Sequence, residues 1–256
     1  CSAGFPAAVL PLWQGAPAAR DARAAEPAAA LPPDDAPAAP PTVRSRPDAP
    51  VWTVARAGGT LQMDGWLDDW TVEPQPITAI VFGRGAWTGA DDLSAAPRLA
   101  WDAQMLYLGV EVTDDTFSQP SGGRELHLGD SLELQLDTDL AGDFDDGAIG
   151  PDDWQLGISP GNLADRRPEV YAWRPLGAPL AGVRLGARET GRGYILGAAL
   201  PWAALGVNPQ AVDAVGASLN VSDHDDGGPA QQSLAASSPR RAWDDPRSWG
   251  TWVLAR

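Results

Sequence analysis

Lysine is absent from this 256-residue chain, and cysteine occurs once, at position 1. One thiol cannot close an intrachain disulfide, and without a CxxCH run there is no covalent haem attachment. Histidine occurs only twice, at His127 and His224. That pair, far apart in the chain and without a usable thiol beside it, lacks the ligand spacing of a structural zinc site. Neither histidine stands near a nucleophile-elbow pattern, so nothing marks a serine-type hydrolase, and the chain reads as a non-enzyme. No apolar run approaches the roughly 20 residues of a membrane-spanning helix. Positive charge is scarce: 18 basic against 34 acidic residues, a net −16. Such a surface is wrong for nucleic acid, which is held by basic patches. It suits calcium, cationic partners or plain solubility.

What is present divides unevenly. Residues 1–50 are mostly alanine and proline, as in "AAEPAAALPPDDAPAAPP". The stretch has no apolar period, and its prolines oppose both helix and ladder pairing. It reads as an extended tethering arm. A chain whose one cysteine comes first, ahead of such an arm, resembles a mature bacterial lipoprotein. The expectation is therefore a covalent lipid on Cys1, a location on the periplasmic or outer face of the cell envelope, and partner contacts through residues 1–50. Residues 51–256 carry the tryptophan, leucine and valine of a globular domain. In "SLELQLD", Leu132, Leu134 and Leu136 alternate with Glu133, Gln135 and Asp137, the period of a half-buried strand. Similar signals recur in "APRLAWD", "MLYLGVEVTDD", "DDWQLGIS", "EVYAWRP", "GVRLGARE", "GYILGAAL", "GASLNVSD" and "GTWVLAR", with Gly, Pro and Asp between them. The spacing predicts an all-β, two-sheet antiparallel sandwich. Trp66, Trp70, Trp101, Trp202 and Trp252 read as core. The acidic turns "DTDLAGDFDDG" and "SDHDDGG" offer clustered oxygens of the kind hard cations take, with Asp137, Asp139, Asp143, Asp223 and Asp225 as candidate calcium ligands.

Taken in order, "LQMDGWLDDW", "WDAQMLYLGVEVTDD", "GDSLELQLDTD", "GYILGAALPWAALG", "GASLNVSDHDD" and "AWDDPRSWGTWVL" resemble the family 9 carbohydrate-binding modules and their DOMON-type relatives. The resemblance implies a sandwich that binds sugars without cleaving them, usually with calcium. It also implies a sugar ring held between two tryptophans, one ahead of an Asp-Ser-x-Glu strand and one in a Trp-x-Asp-Pro segment. The second corresponds to Trp243. The first position holds His127, and the family's arginine falls at Gly157. Glu133 corresponds to a carboxylate that accepts from sugar hydroxyls. One wall and the cation are thus expected to be missing, with Trp154 and Trp249 as neighbouring replacements. Some DOMON-type relatives hold haem through axial Met, His or Lys, for which Met63, Met105, His127 and His224 are the available ligands; haem is not expected. An incomplete cleft on a tethered fold favours a structural or interaction subunit of a membrane-associated assembly, photosynthetic or respiratory electron transfer among the options. The alternative is a working saccharide binder.

Overall fold

A computed structural model describes residues 43–256. Cys1 and most of the alanine/proline arm, with the lipid and partner roles expected of them, lie outside the described residues. Among the described residues twelve strands form: β1 (Val51–Arg56), β2 (Ala79–Phe82), β3 (Leu93–Trp101), β4 (Met105–Asp114), β5 (Ser131–Asp137), β6 (Asp153–Ser159), β7 (Glu169–Arg174), β8 (Arg184–Thr190), β9 (Gly193–Pro201), β10 (Ala214–Asp223), β11 (Ser233–Ala236) and β12 (Gly250–Leu254). All the strands expected from alternation are present. β1, β2 and β11 are additional; β2 and β11, at four residues each, are too short to show a period.

One layer runs β7-β6-β5-β10-β12, with β11 and β2 continuing from β10; the other runs β3-β4-β9-β8. Pairing within each layer is antiparallel. The departure from a purely antiparallel sandwich is β1, which pairs in parallel with β12 at one end and with β3 at the other. Trp52 and Trp252, opposite each other in the β1–β12 register, stack with planes 5° apart. Pro97, inside β3, lacks an N–H, but β1 pairs only with Ala100 and Trp101. The side of β3 that β1 leaves open instead receives Gln75 N–H on the Pro97 carbonyl at 2.8 Å.

The two layers share one core. Leu132, Leu134, Leu136, Leu156, Ile158, Leu219 and Val221 from the first meet Leu99, Leu106, Leu108, Val110 and Leu196 from the second, all almost fully buried. Trp70, Trp101, Trp202 and Trp252 are buried as expected, whereas Trp66 is 53% exposed and lies under the Arg188 guanidinium at 3.7 Å. An exposed indole in this turn is covered by a cation rather than by core.

The packed domain also begins ahead of the composition break at residue 50. Arg46 is buried, donating from Nη2 to Asp137 Oδ2 at 2.9 Å and from Nε to the Phe144 carbonyl at 3.4 Å. A single buried charge pair recruits the end of the arm, and composition does not reveal such a pair.

Candidate functional site

The polar side of β5 is not a solvated face. Every residue of β5 is buried, Glu133, Gln135 and Asp137 included. They belong to a polar floor on the outside of the first layer. Across the ladder Glu133 pairs with Gly157 and Asn220, and Gln135 with Gln155 and Ser218. What covers the floor is the segment between β11 and β12. Gln135 Nε2 donates to the carbonyls of Ala242 and Trp243 at 3.2 and 3.1 Å, and Gln155 Nε2 also donates to Trp243. Trp249 Nε1 closes the loop on the Ala242 carbonyl at 3.0 Å. The local sequence sets this shape: Asp245 caps a short 3₁₀ turn, Pro246–Ser248, accepting from the Arg247 N–H, with proline in the first turn.

Clamped in this way, the segment presents Arg241 and Trp243 beside an open cavity of about 810 Å³. That volume lies within the usual 300–1,000 Å³ of small-molecule sites. His127, Glu133 and Trp243, the three residues expected at a sugar cleft, all line it. Two groups that sequence reasoning missed complete it. Trp173, on β7, meets Trp243 edge to face, with centroids 5.5 Å apart and planes at 66°. His127 also meets Trp173 edge to face, with centroids 5.8 Å apart and planes at 77°, so the imidazole buttresses the indole. Where the sequence places a histidine at 127, the neighbouring strand brings an indole beside Trp243. Trp154 and Trp249 do not supply it: Trp154 packs against the core, donating to the Leu205 carbonyl, and Trp249 is fully buried.

Gly157 is what makes room. A Cβ at this position would sit 2.6 Å from Trp173 Cη2, so the indole lies directly over bare backbone. The arginine expected at 157 and an indole over 157 exclude each other sterically. The guanidinium comes instead from Arg241, whose Nη2 donates to Glu133 Oε2 at 2.7 Å and Nε to Gln135 Oε1 at 2.9 Å. Glu133 Oε1 accepts from Gln231 Nε2 at 3.3 Å. Both carboxylate oxygens are thus engaged within the protein, and Glu133 is 3% exposed. Burial pushes the Glu133 carboxyl up from its ordinary range, with Arg241 opposing the shift. Arg241 Nη1 has no hydrogen bond among the described residues, so Arg241 carries the outward donor capacity. The sequence signal for Trp173 was present: Ala172 points to the core, which puts Tyr171 and Trp173 on the outer face of β7. Arg241 had no comparable local signal.

The candidate cation ligands form two groups. Asp137 and Asp143 meet Asp152; Asp139 is exposed and stands outside the group. Its backbone N–H donates to Asp152 Oδ2 instead. Burial pushes Asp137 to about 6 and the adjacent Asp153 to about 7, and Arg46 offsets part of the effect on Asp137. Asp223 and Asp225 join Asp92, and Asp225 also meets Asp114 and Asp115. Burial, followed by repulsion from Asp114, raises the neighbouring Asp130 to about 10. Asp223 rises to about 7 and Asp225 to about 6, burial again the largest cause. Asp223 Oδ1 and Asp225 Oδ1 are buried and accept no hydrogen bond among the described residues. Clustered carboxylates with unpaired inward oxygens form an all-oxygen donor set that suits calcium. The haem candidates do not converge: Met63 and Met105 pack in a small apolar cluster with Trp70 and Tyr107, His127 lines the cavity, and His224 is buried beyond β10.

Residues 63–256 match the model of the carbohydrate family 9 binding domain-like family. The chain belongs to that family. Its relatives are non-catalytic binding modules. Among solved structures, a family 9 module from Caldicellulosiruptor kristjanssonii in complex with cellotriose superposes with a TM-score of 0.60 at 19% identity, covering 80% of this chain and 93% of that one. The same kind of module in complex with glucose also gives 0.60 and 19%, covering 79% and 95%. A putative carbohydrate-binding protein from Bacteroides uniformis gives 0.54 at 14% identity, covering 83% and 100%. No match was found among curated proteins. At these identities the neighbours establish the shared fold.

Proposed function

We propose that this protein is a non-catalytic saccharide-binding protein and that the sugar docks in the corner made by Trp173 and Trp243. One observation carries the reading: Gly157 lets a second indole complete an aromatic corner beside a guanidinium that a buried carboxylate holds in place. Apolar C–H faces of a pyranose pack on indole, while its rim hydroxyls need fixed polar partners. Trp173 and Trp243 provide the first and Arg241 the second. Because the indoles stand at 66°, the ring stacks on one and abuts the other. The solved family 9 structures with cellotriose and glucose support the ligand class. The expectation of a scaffold subunit rested in part on an incomplete cleft, and Trp173 and Arg241 beside Trp243 favour the saccharide-binding alternative on that point.

Calcium at the Asp92/Asp223/Asp225 group belongs to the same reading, where it would neutralise buried carboxylates and stiffen the loop that carries Gln231. The test is calorimetric titration of the calcium-loaded protein with cellotriose and a wider glycan panel. Saturable binding that Trp173→Ala and Trp243→Ala each weaken by tenfold or more supports the reading. Silence of the wild-type protein across the panel overturns it.

A further inference from the structure

The cavity reverses the charge of the molecule around it. Acidic residues outnumber basic ones by 34 to 18 in the chain, yet the lining holds Arg124, Arg174 and Arg241 against Glu133 and Asp153. Both acids are buried, although Asp153 Oδ1 accepts no hydrogen bond among the described residues. Glu133 is spent on Arg241 and Gln231, and Asp153, 1% exposed, accepts from the Gly150 N–H at 2.6 Å. Arg124 and Arg174 form no ion pair among the described residues.

Arg174 is also aimed. Its Nε donates to Gln155 Oε1 at 2.9 Å, and Gln155 in turn donates to the Trp243 carbonyl. One amide thereby couples the arginine to the aromatic corner and leaves Nη1 and Nη2 without protein partners. Arg124 sits on the 3₁₀ turn Gly123–Leu128, where its carbonyl accepts from Trp173 Nε1 at 2.8 Å, so its backbone is pinned to the other indole. Both arginines line the cavity: Arg174 is linked to the Trp243 wall through its side chain, and Arg124 to Trp173 through its backbone carbonyl. A planar fork of donors matches the two oxygens of a carboxylate.

We infer that the preferred ligand is an anionic saccharide, a uronate-bearing sugar whose carboxylate is met by Arg124 and Arg174 while its ring packs on the indoles. This rests on the saccharide-binding reading and specifies its ligand class. The test uses a matched pair, xylotetraose with and without a glucuronate side group, titrated calorimetrically into the calcium-loaded full chain at low and high salt. The uronate form should bind about tenfold or more tightly at low salt, and the advantage should shrink at high salt as the charges are screened. In Arg124→Gln/Arg174→Gln, checked for an unchanged melting curve, the ratio of the two affinities should collapse toward one. Equal binding of the pair by the wild-type protein overturns this inference and leaves the saccharide reading standing. Binding of neither, nor of any other glycan, overturns both. Selective binding of a sulfated sugar over the uronate overturns the carboxylate assignment.

Discussion

Arg241→Met tests the arrangement that holds the site together. The Arg241 side chain is 12% exposed and that of Glu133 3%, with 2.7 Å between Nη2 and Oε2. Removing one member of a buried pair typically costs about 3–5 kcal/mol, because the other charge stays buried without its partner. Here Gln231 still donates to Glu133, which places the loss near the lower end, about 3 kcal/mol. With a urea dependence of about 2–3 kcal/mol per molar for a domain of this size, the unfolding midpoint should fall by roughly 1–1.5 M at pH 8.

The loss should depend on pH in a definite direction. Burial already holds the folded pKa of Glu133 above its unfolded value, near 4.3 for a glutamate. A carboxyl raised in this way contributes most below the unfolded pKa, and the contribution drains away as pH rises through the folded pKa. Arg241 lowers that folded pKa, so its removal widens the window. The gap between wild type and variant should therefore open from pH 5 to pH 8. Glu133→Gln in the Arg241→Met background should recover most of the loss, since the stranded charge is gone. A penalty equal at both pH values and untouched by Glu133→Gln would show that water reaches Glu133 and that the buried-pair reasoning is wrong.

Other consequences can be checked separately. Gly157→Ala places a methyl carbon against the Trp173 ring, so the indole must shift; an altered tryptophan emission and a stability loss of about 1–3 kcal/mol should follow, whereas an unchanged spectrum would contradict the close approach. Arg46→Met strands Asp137 in the interior and should cost about 3 kcal/mol or more in chemical denaturation with chelator present; a loss below about 1 kcal/mol would show that residues 43–50 merely rest on the domain. With Asp223 raised to about 7 and Asp130 to about 10, the metal-free protein should lose stability as pH climbs from about 4 through 7. Calcium should then raise the melting temperature more at pH 8 than at pH 5, where protons compete for the same oxygens; an equal shift at both would argue against these carboxylates as ligands.

Much of the architecture was legible in one dimension because a strand announces itself every second residue. Leu132, Leu134 and Leu136 mark β5, and the same rhythm marks β4, β9 and β10, since apolar side chains must share one face to reach the core. Two tryptophan-bearing segments and the Asp-Ser-x-Glu run also carried the family in order along the chain. His127, Glu133 and Trp243 were legible as neighbours for that reason alone.

What lay beyond the sequence was everything that depends on which strand lies beside which. Gly157 read as a lost arginine until β7 was placed next to β6, where the same glycine became the seat of Trp173. Glu133 read as an outward carboxylate until the segment before β12 folded over it with Arg241, 108 positions away in the chain. Asp92, Asp114 and Asp115 joined the distant Asp223 and Asp225 for the same reason. Sequence by itself determined the alternation, the charge and the family. Tertiary packing decided which groups lose water and which partners they find, because burial and distance set the strength of a charge pair and neither is a property of a residue alone.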